Sequence, residues 1–250
     1  MVISQIVRSY GVLFTAEESG DRKLFGAKVI PSRGAWLEFE TSNRDVIAVK
    51  VDRKRKLPIT TFLRAFGMEP EAINKAFSDV DTDSDHHYIL TTLDKDMASN
   101  RDEAMIEVYK RIRPGDLATA ESAKTFLENL FFNSKRYNLG KVGRYKINHR
   151  LDLDVPNTLP NHVLRLNDVT AVIKEIIRLN NTPGASPDDV DHLMNRRVRA
   201  VGELIQARLR TGLLRVERIV KDRMSVLETD EITPGQLINS RPIAAVLQEF

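Results

Sequence analysis

Near its start the chain alternates. Leu37 and Phe39 alternate with Trp36, Glu38 and Glu40, and after the turn-rich stretch 41–45, Ile47, Val49 and Val51 alternate with Ala48, Lys50 and Asp52. A period of two sends successive side chains to opposite faces of a strand. Folding about Arg44 pairs Phe39 with Val49 and Leu37 with Val51 on an apolar face. Glu38 then meets Lys50, and Trp36 meets Asp52, on the polar face. A slip of one residue would bury the charges, so this register is preferred. It places the single Trp of the chain beside an acid. The first sixty or so residues read as strands throughout.

From Pro58 the pattern becomes helical. Short helices are predicted at 59–66 and 69–77, followed by the polar loop 79–87, DVDTDSDHH. Further helices follow at 101–112, 119–132 and 135–149, the first two separated by Arg113-Pro114-Gly115-Asp116. Leu166, Val169, Val172, Ile173, Ile176 and Ile177 recur at helical spacing behind an Asn167-Asp168 cap, which predicts a helix over 168–180. The stretch 180–189, NNTPGASPDD, reads as a linker. The longest helix, about 199–225, gathers Val201, Ile205, Leu209, Leu213, Val216, Ile219 and Val220 into one stripe. Gly212 lies in that stripe and admits a close partner. Arg208, Arg210, Arg215, Arg218 and Lys221 occupy the remaining arc. A terminal helix after Arg241-Pro242 carries Ile243, Val246, Leu247 and Phe250, with its apolar face unfinished at the chain end. The fold class is α+β: an N-terminal antiparallel hairpin region, a mainly helical middle, then a long helix.

Composition narrows the function classes. The chain has 250 residues, 42% hydrophobic and 29% charged, an ordinary soluble balance. It has no apolar run of about 18 residues and so no membrane-spanning helix. The N-terminal MVISQIVRSYGVLF has its only Arg behind the apolar stretch and lacks a small-residue cleavage site, unlike a signal peptide. With no Cys, disulfides, thiol catalysis and Cys-ligated zinc are excluded, as fits a reducing, cytoplasmic setting. A net charge of +3 and pI near 9.1 permit nucleic-acid contact.

The remaining motifs are read against plainer roles. Counted as a calcium loop, 79–87 puts Ser84 or His86 where the sixth-position Gly belongs and Leu90 or Thr92 where the bidentate Glu belongs, so it reads as a solvated loop. Asp188-Asp189 reads as helix capping. The basic run Arg53-Lys54-Arg55-Lys56 is either a solvated turn or a phosphate contact; the neighbouring Trp36 favours the second, because stacking beside cations holds single strands. The cluster 191–199, from Asp191 and His192 through Arg196, Arg197 and Arg199, is either an ion-paired start to the long helix or a surface for phosphates and base edges. No common hydrolase or nucleotide-binding signature is present.

Seven strings run in order along the chain: ISQIVRSYGVLF (3–14), IPSRGAWLEFE (30–40), VDRKRKLPITTFLRAFG (51–67), IEVYKRIRPGD (106–116), NLFFNSKRYNLGKVGRYKIN (129–148), DDVDHLMNRRVRAVGEL (188–204) and RPIAAVLQEF (241–250). Together they resemble the β subunit of bacterial RNA polymerase. The resemblance implies a piece of a larger subunit: the end of the first half of the protrusion at 1–10, a lobe domain at 11–185 and the second half of the protrusion at 186–250. It implies a non-catalytic jaw over the main cleft, holding downstream duplex DNA and the non-template strand. The catalytic magnesium is expected in another subunit, so no cofactor is expected in this piece, which alone would be inactive as a nucleotidyltransferase. By the resemblance, Arg8, Val190, Asp191 and Arg196 line a pocket for a non-template guanine, Trp36 stacks on a neighbouring base with Asp52 beside it, and Arg199 lies near the same strand. Arg101 matches a loop at the cleft mouth, and Ile3 borders the rifamycin pocket. Partners implied are the β′ and α subunits, a sigma factor, DNA and transcription factors, with no membrane, in the bacterial cytoplasm at the nucleoid. Tyr10 stands at a usual Pro, Met194 at a usual Gly and Leu209 at an aromatic position. The alternatives are a docking module for transcription factors with little DNA binding of its own, and an unrelated cytoplasmic enzyme.

Overall fold

The computed structural model describes residues 3–20, 22–226 and 233–249; the expected apolar contribution of Phe250 lies outside them. The chain divides into two compact units, one of Met1–Arg8 with Arg196–Phe250 and one of Ser9–Asn195. The first unit begins with strand β1 (Gln5–Arg8).

The second unit is built on an antiparallel meander. β2 (Gly11–Ser19), β3 (Arg22–Ile30), β4 (Leu37–Thr41), β5 (Ile47–Val51) and the short β6 (Leu57–Pro58) pair in chain order. The β4–β5 register is the one the alternation requires, with Leu37 opposite Val51, Glu38 opposite Lys50 and Phe39 opposite Val49. Leu37, Phe39, Val49 and Val51 are all buried. The charges pair differently from the expected cross-strand couple. Lys50 bonds the diagonal Glu40, leaving Glu38 to Lys28 on β3 at 3.6 Å. A long Lys side chain reaches a diagonal neighbour as readily as a direct one.

Helices complete this unit: α1 (Ile59–Ala65), α2 (Pro70–Phe77), α3 (Tyr88–Leu93), α4 (Arg101–Ile112), α5 (Ala120–Leu127), α6 (Gly140–Leu151) and α7 (Leu166–Asn181). α6 packs on β2 and α7 on β3, while α4 lies against α1 and α5. α3 was not legible in the sequence. Its first turn is capped from upstream, where the Asp81 carboxylate accepts the N–H groups of Tyr88 and Ile89 at 3.1 and 2.9 Å. The loop 79–87 is therefore more than solvated. Asp79 pairs with Lys174, which with its hydrogen bond lowers the carboxyl pKa, and His86 Nδ1 lies 3.0 Å from Asp45.

Three helix boundaries depart from the sequence reading. The expected helix 119–132 ends at Leu127 and continues as a π-helical turn over 128–132. The expected 135–149 helix starts only at Gly140, because Asn133 and Asn138 bond nearby backbone N–H groups through their side chains and compete with the helix. α7 begins at Leu166, so Asp168 sits inside it rather than before it. Its carboxylate still serves the helix start, accepting the Arg165 N–H at 3.0 Å.

Asp168 is also half of a buried ion pair. Arg144 on α6 is fully buried and makes a fork to both Asp168 oxygens at 2.6 and 2.8 Å. It also bonds the carbonyls of Asn161 and Val163. Buried His162 lies in the same segment, its Nε2 2.8 Å from Asn157 Oδ1. Asn157 uses its amide to donate to the Lys141 carbonyl, so His162 Nε2 donates to the oxygen. Burial first, then the charges of Arg144 and Lys141, hold the His162 pKa below its ordinary value. A depressed histidine stabilises the fold fully above the unfolded value of about 6.5 and loses that contribution as pH falls toward its folded pKa. We expect wild-type stability to fall below about pH 6.5, by at most about 1.4 kcal/mol per pH unit from this group. Denaturant titrations across pH should show that increment of slope flattened in His162→Gln.

The first unit continues with β7 (Arg196–Arg199), α8 (Val201–Val226), α9 (Pro234–Leu237) and α10 (Arg241–Gln248). β7 pairs antiparallel with β1. Of the predicted α8 stripe, Leu213 is exposed and the other members are half-buried. Gly212 is the close-approach point: a Cβ there would stand 3.4 Å from the Ile243 Cα and 3.7 Å from the Val246 Cβ of α10. Val246 is buried, whereas Leu247 is largely exposed.

Candidate nucleic-acid interface

Within the second unit, Trp36 and Asp52 come together as the register requires. The Trp36 N–H donates to Asp52 Oδ1 at 2.8 Å, and the Asp52 N–H donates to the Trp36 carbonyl at 2.9 Å. Just after β5 the chain turns through Asp52 and Arg53, both left-handed, with φ of 48° and 59°. The turn closes with Lys54 N–H on the Val51 carbonyl at 2.9 Å. Two positive-φ central residues are the demand of a type I′ turn, which normally recruits Asn or Gly. Holding ordinary side chains there costs on the order of 1 kcal/mol or more each, and such strain concentrates at working sites.

Beyond this turn the Arg53 guanidinium lies 5.8 Å from the Trp36 ring centroid. Trp36 is half-buried, and Asp52 and 53–56 are exposed. The result is an aromatic face flanked by a cation and followed by a solvent-facing basic run. The sequence supplied each of these residues but did not tie Arg53 to the ring. The signal was available, since Arg53 directly follows the residue paired with Trp36.

Val190 and Asp191 lie on a shaped turn of the same unit. Asp188 and Asp189 cap no helix there, contrary to the sequence reading. Asp188 instead accepts the Phe14 N–H at 2.8 Å and Arg150 Nε at 3.1 Å, and Asp189 accepts the Asp191 N–H at 2.9 Å. Asn195 closes the turn on the Asp189 carbonyl at 2.7 Å. Lys146 of α6 donates to the Met194 carbonyl, and burial lowers its pKa. No sequence spacing connects Lys146 with Met194. Val190 is half-buried and Asp191 exposed. Arg101 is exposed at the first position of α4, behind the Asn100 cap that accepts the Glu103 N–H.

In the first unit, Arg8 stands directly opposite Arg196, and Ile6 opposite Val198. These four share one face of the ribbon, with Arg8, Arg196, Ile6 and Val198 all exposed. Arg199 faces the other way, with Arg197. Glu203 takes Arg197 in a fork at 2.6 and 2.7 Å and approaches Arg199 Nε at 3.7 Å. The 197–203 stretch thus contains the ion-paired helix start weighed from the sequence. Ile3 precedes β1 and is 72% exposed. Among the described residues there is no cluster of His, Cys, Asp and Glu suited to a metal ion, and no helix is long and apolar enough to cross a membrane.

The family model described as RNA polymerase Rpb2, domain 2, matches residues 8–199. Along its whole length the chain is similar to proteins named DNA-directed RNA polymerase subunit beta. It is 47% identical to the one from Chloroflexus aggregans over 280 aligned residues, covering 23% of that protein. It is 45% identical to the protein from Dehalococcoides mccartyi strain BAV1, covering 20% of it, and 45% identical to the one from Streptomyces coelicolor, covering 22%. The chain therefore spans about a fifth of the length of the curated relatives it matches.

Proposed function

Because the chain belongs to the RNA polymerase Rpb2 domain 2 family, we propose that it acts within the β subunit of a DNA-directed RNA polymerase as a non-catalytic jaw of the main cleft. In that role it holds downstream duplex and the melted non-template strand. The observation that carries this reading is the Trp36 face with Asp52 on its backbone and Arg53 at its ring. An unpaired base stacks on Trp36, and Arg53, Lys54, Arg55 and Lys56 meet the adjoining phosphates. Each unit has its own further contacts: Arg8 and Arg196 on one ribbon face and Arg199 on the other in the first unit, and Val190, Asp191 and Arg101 in the second. Nucleotidyl transfer and its magnesium belong to other subunits of the assembly, whose partners are β′, α and a sigma factor at the bacterial nucleoid. The lobe (11–185) and protrusion (1–10 and 186–250) boundaries are part of the same proposal.

Trp36→Ala is the direct test. Losing one base–aromatic stack should weaken single-stranded DNA binding about tenfold. The salt dependence should stay strong in both proteins, because the phosphate-facing cations are untouched. Fluorescence anisotropy with labelled single strands at several salt concentrations measures both. An unchanged affinity, with transcription-factor binding intact, would favour the alternative of a docking module.

A further inference from the structure

The backbone leading into Trp36 is tied to a segment about 100 residues further along the chain. Arg33 and Asn138 exchange both backbone hydrogen bonds, at 3.0 and 2.8 Å, and the Arg33 guanidinium donates to the Lys135 carbonyl at 3.3 Å. Between these ties the fully buried Tyr137 ring packs against Gly34. Gly34 has φ of +118°, and a Cβ there would stand 2.7 Å from Tyr137 Cδ2 and 3.1 Å from the Arg136 carbonyl and the Tyr137 Cα. No L side chain fits that position without moving the loop. Two residues later, Trp36 is tied by both backbone groups to Asp52. The segment 33–36 is thus fixed at both ends and leaned on in the middle. The Tyr137 hydroxyl is buried without a hydrogen-bond partner, so the ring rather than the hydroxyl is what the site uses.

We propose that Gly34 and Tyr137 are positioning residues for Trp36: the Tyr137 ring against a side-chain-free Gly34 sets the height and tilt of the indole on which a base stacks. This rests on the stacking role proposed above. It makes a specific demand on the two residues. Any side chain at 34, or loss of the ring at 137, should displace Trp36, whereas loss of the hydroxyl alone should not.

The sole Trp of the chain reports the test directly. In the full chain we expect Gly34→Ala and Tyr137→Leu to red-shift Trp36 emission and to expose it to acrylamide quenching. Both should weaken binding of a fluorescein-labelled oligothymidine strand about tenfold, as removal of the stack itself does. Tyr137→Phe should match wild type in emission and in binding. Two controls separate positioning from general destabilisation. Gly115→Ala imposes the same left-handed strain (φ +97°) in open space, and Phe77→Leu thins the core at a fully buried position on α2. Both should lower stability and leave emission and binding unchanged. Where Gly34→Ala fails to fold, Tyr137→Leu against Tyr137→Phe carries the comparison alone. Unshifted emission in folded Gly34→Ala and Tyr137→Leu overturns the proposal, as does an equal shift in the Phe77→Leu control. Shifted emission in these variants, with strand binding unaltered both in them and in Trp36→Ala, overturns it too and locates the fault in the stacking reading rather than in the loop geometry.

Discussion

Asp168→Ala is expected to destabilise the Ser9–Asn195 unit by about 3–5 kcal/mol, enough to unfold much of it. The reason is the group left behind. Arg144 is fully buried, and its guanidinium cannot lose its proton. With Asp168 gone, the two carbonyls of Asn161 and Val163 remain as acceptors but carry no compensating charge. The Arg165 N–H also loses its acceptor at the start of α7. The double variant Arg144→Met with Asp168→Leu should recover most of the loss, because a buried pair replaced by apolar groups is often neutral or stabilising. Urea unfolding followed by circular dichroism measures both. A single variant that costs under about 1 kcal/mol would mean that the pair is effectively hydrated and exposed, in conflict with its burial.

The second large effect is expected from Phe62→Ala, at about 3–5 kcal/mol. Phe62 is a fully buried member of an aromatic cluster. Its ring meets Phe66 edge-on with centroids 4.6 Å apart and Phe131 at 5.7 Å, and Phe66 in turn meets Phe131 and Phe132. The cluster joins α1 to the π-helical turn 128–132 that follows α5. Truncation removes both burial and edge-to-face contacts, each of the latter worth about 0.5–1.5 kcal/mol. The exposed rim should be far cheaper: Phe132→Ala, at 42% exposure, should cost less than half as much, because water already reaches that ring. Equal costs for the two would conflict with the full burial of Phe62 against the 42% exposure of Phe132. Single-strand binding per folded molecule should be unchanged in Phe132→Ala, whose ring meets Phe66 at the exposed rim of the cluster.

The hairpin was the most legible part of the chain. Four buried apolar residues at period two leave one register that keeps Glu38, Glu40, Lys50 and Asp52 out of the core, and the structure adopts it. The amphipathic periods of α7 and α8 were likewise readable, to within a few residues, because a 3.6-residue stripe survives any detail of packing. Gly212 announced a close neighbour, and α10 supplies it. The β-subunit family was readable too, from strings spread over nearly the whole chain.

Other features were decided by side-chain pairings that cross from one element to another. Asp81 nucleates α3 from outside it, Asp188 is taken by Phe14 and Arg150 instead of a helix end, and Lys50 chooses Glu40 over its direct cross-strand partner. No local rule foretells such pairings, since each depends on which segment arrives beside it and on which polar group would otherwise lie buried without a partner.

The same division runs through the candidate site. Sequence alone determined that Trp36 and Asp52 are cross-strand neighbours beside a basic run, because register follows from the order of apolar and polar residues. Only the tertiary structure decided that Arg53 turns back on the indole through a strained left-handed pair, that Arg199 faces away from Arg8 and Arg196, and that Tyr137 leans on Gly34. The backbone at Asp52 and Arg53, the facing of β7 and the packing of Tyr137 on Gly34 are set by how the chain folds on itself, which the alternation of residues does not encode.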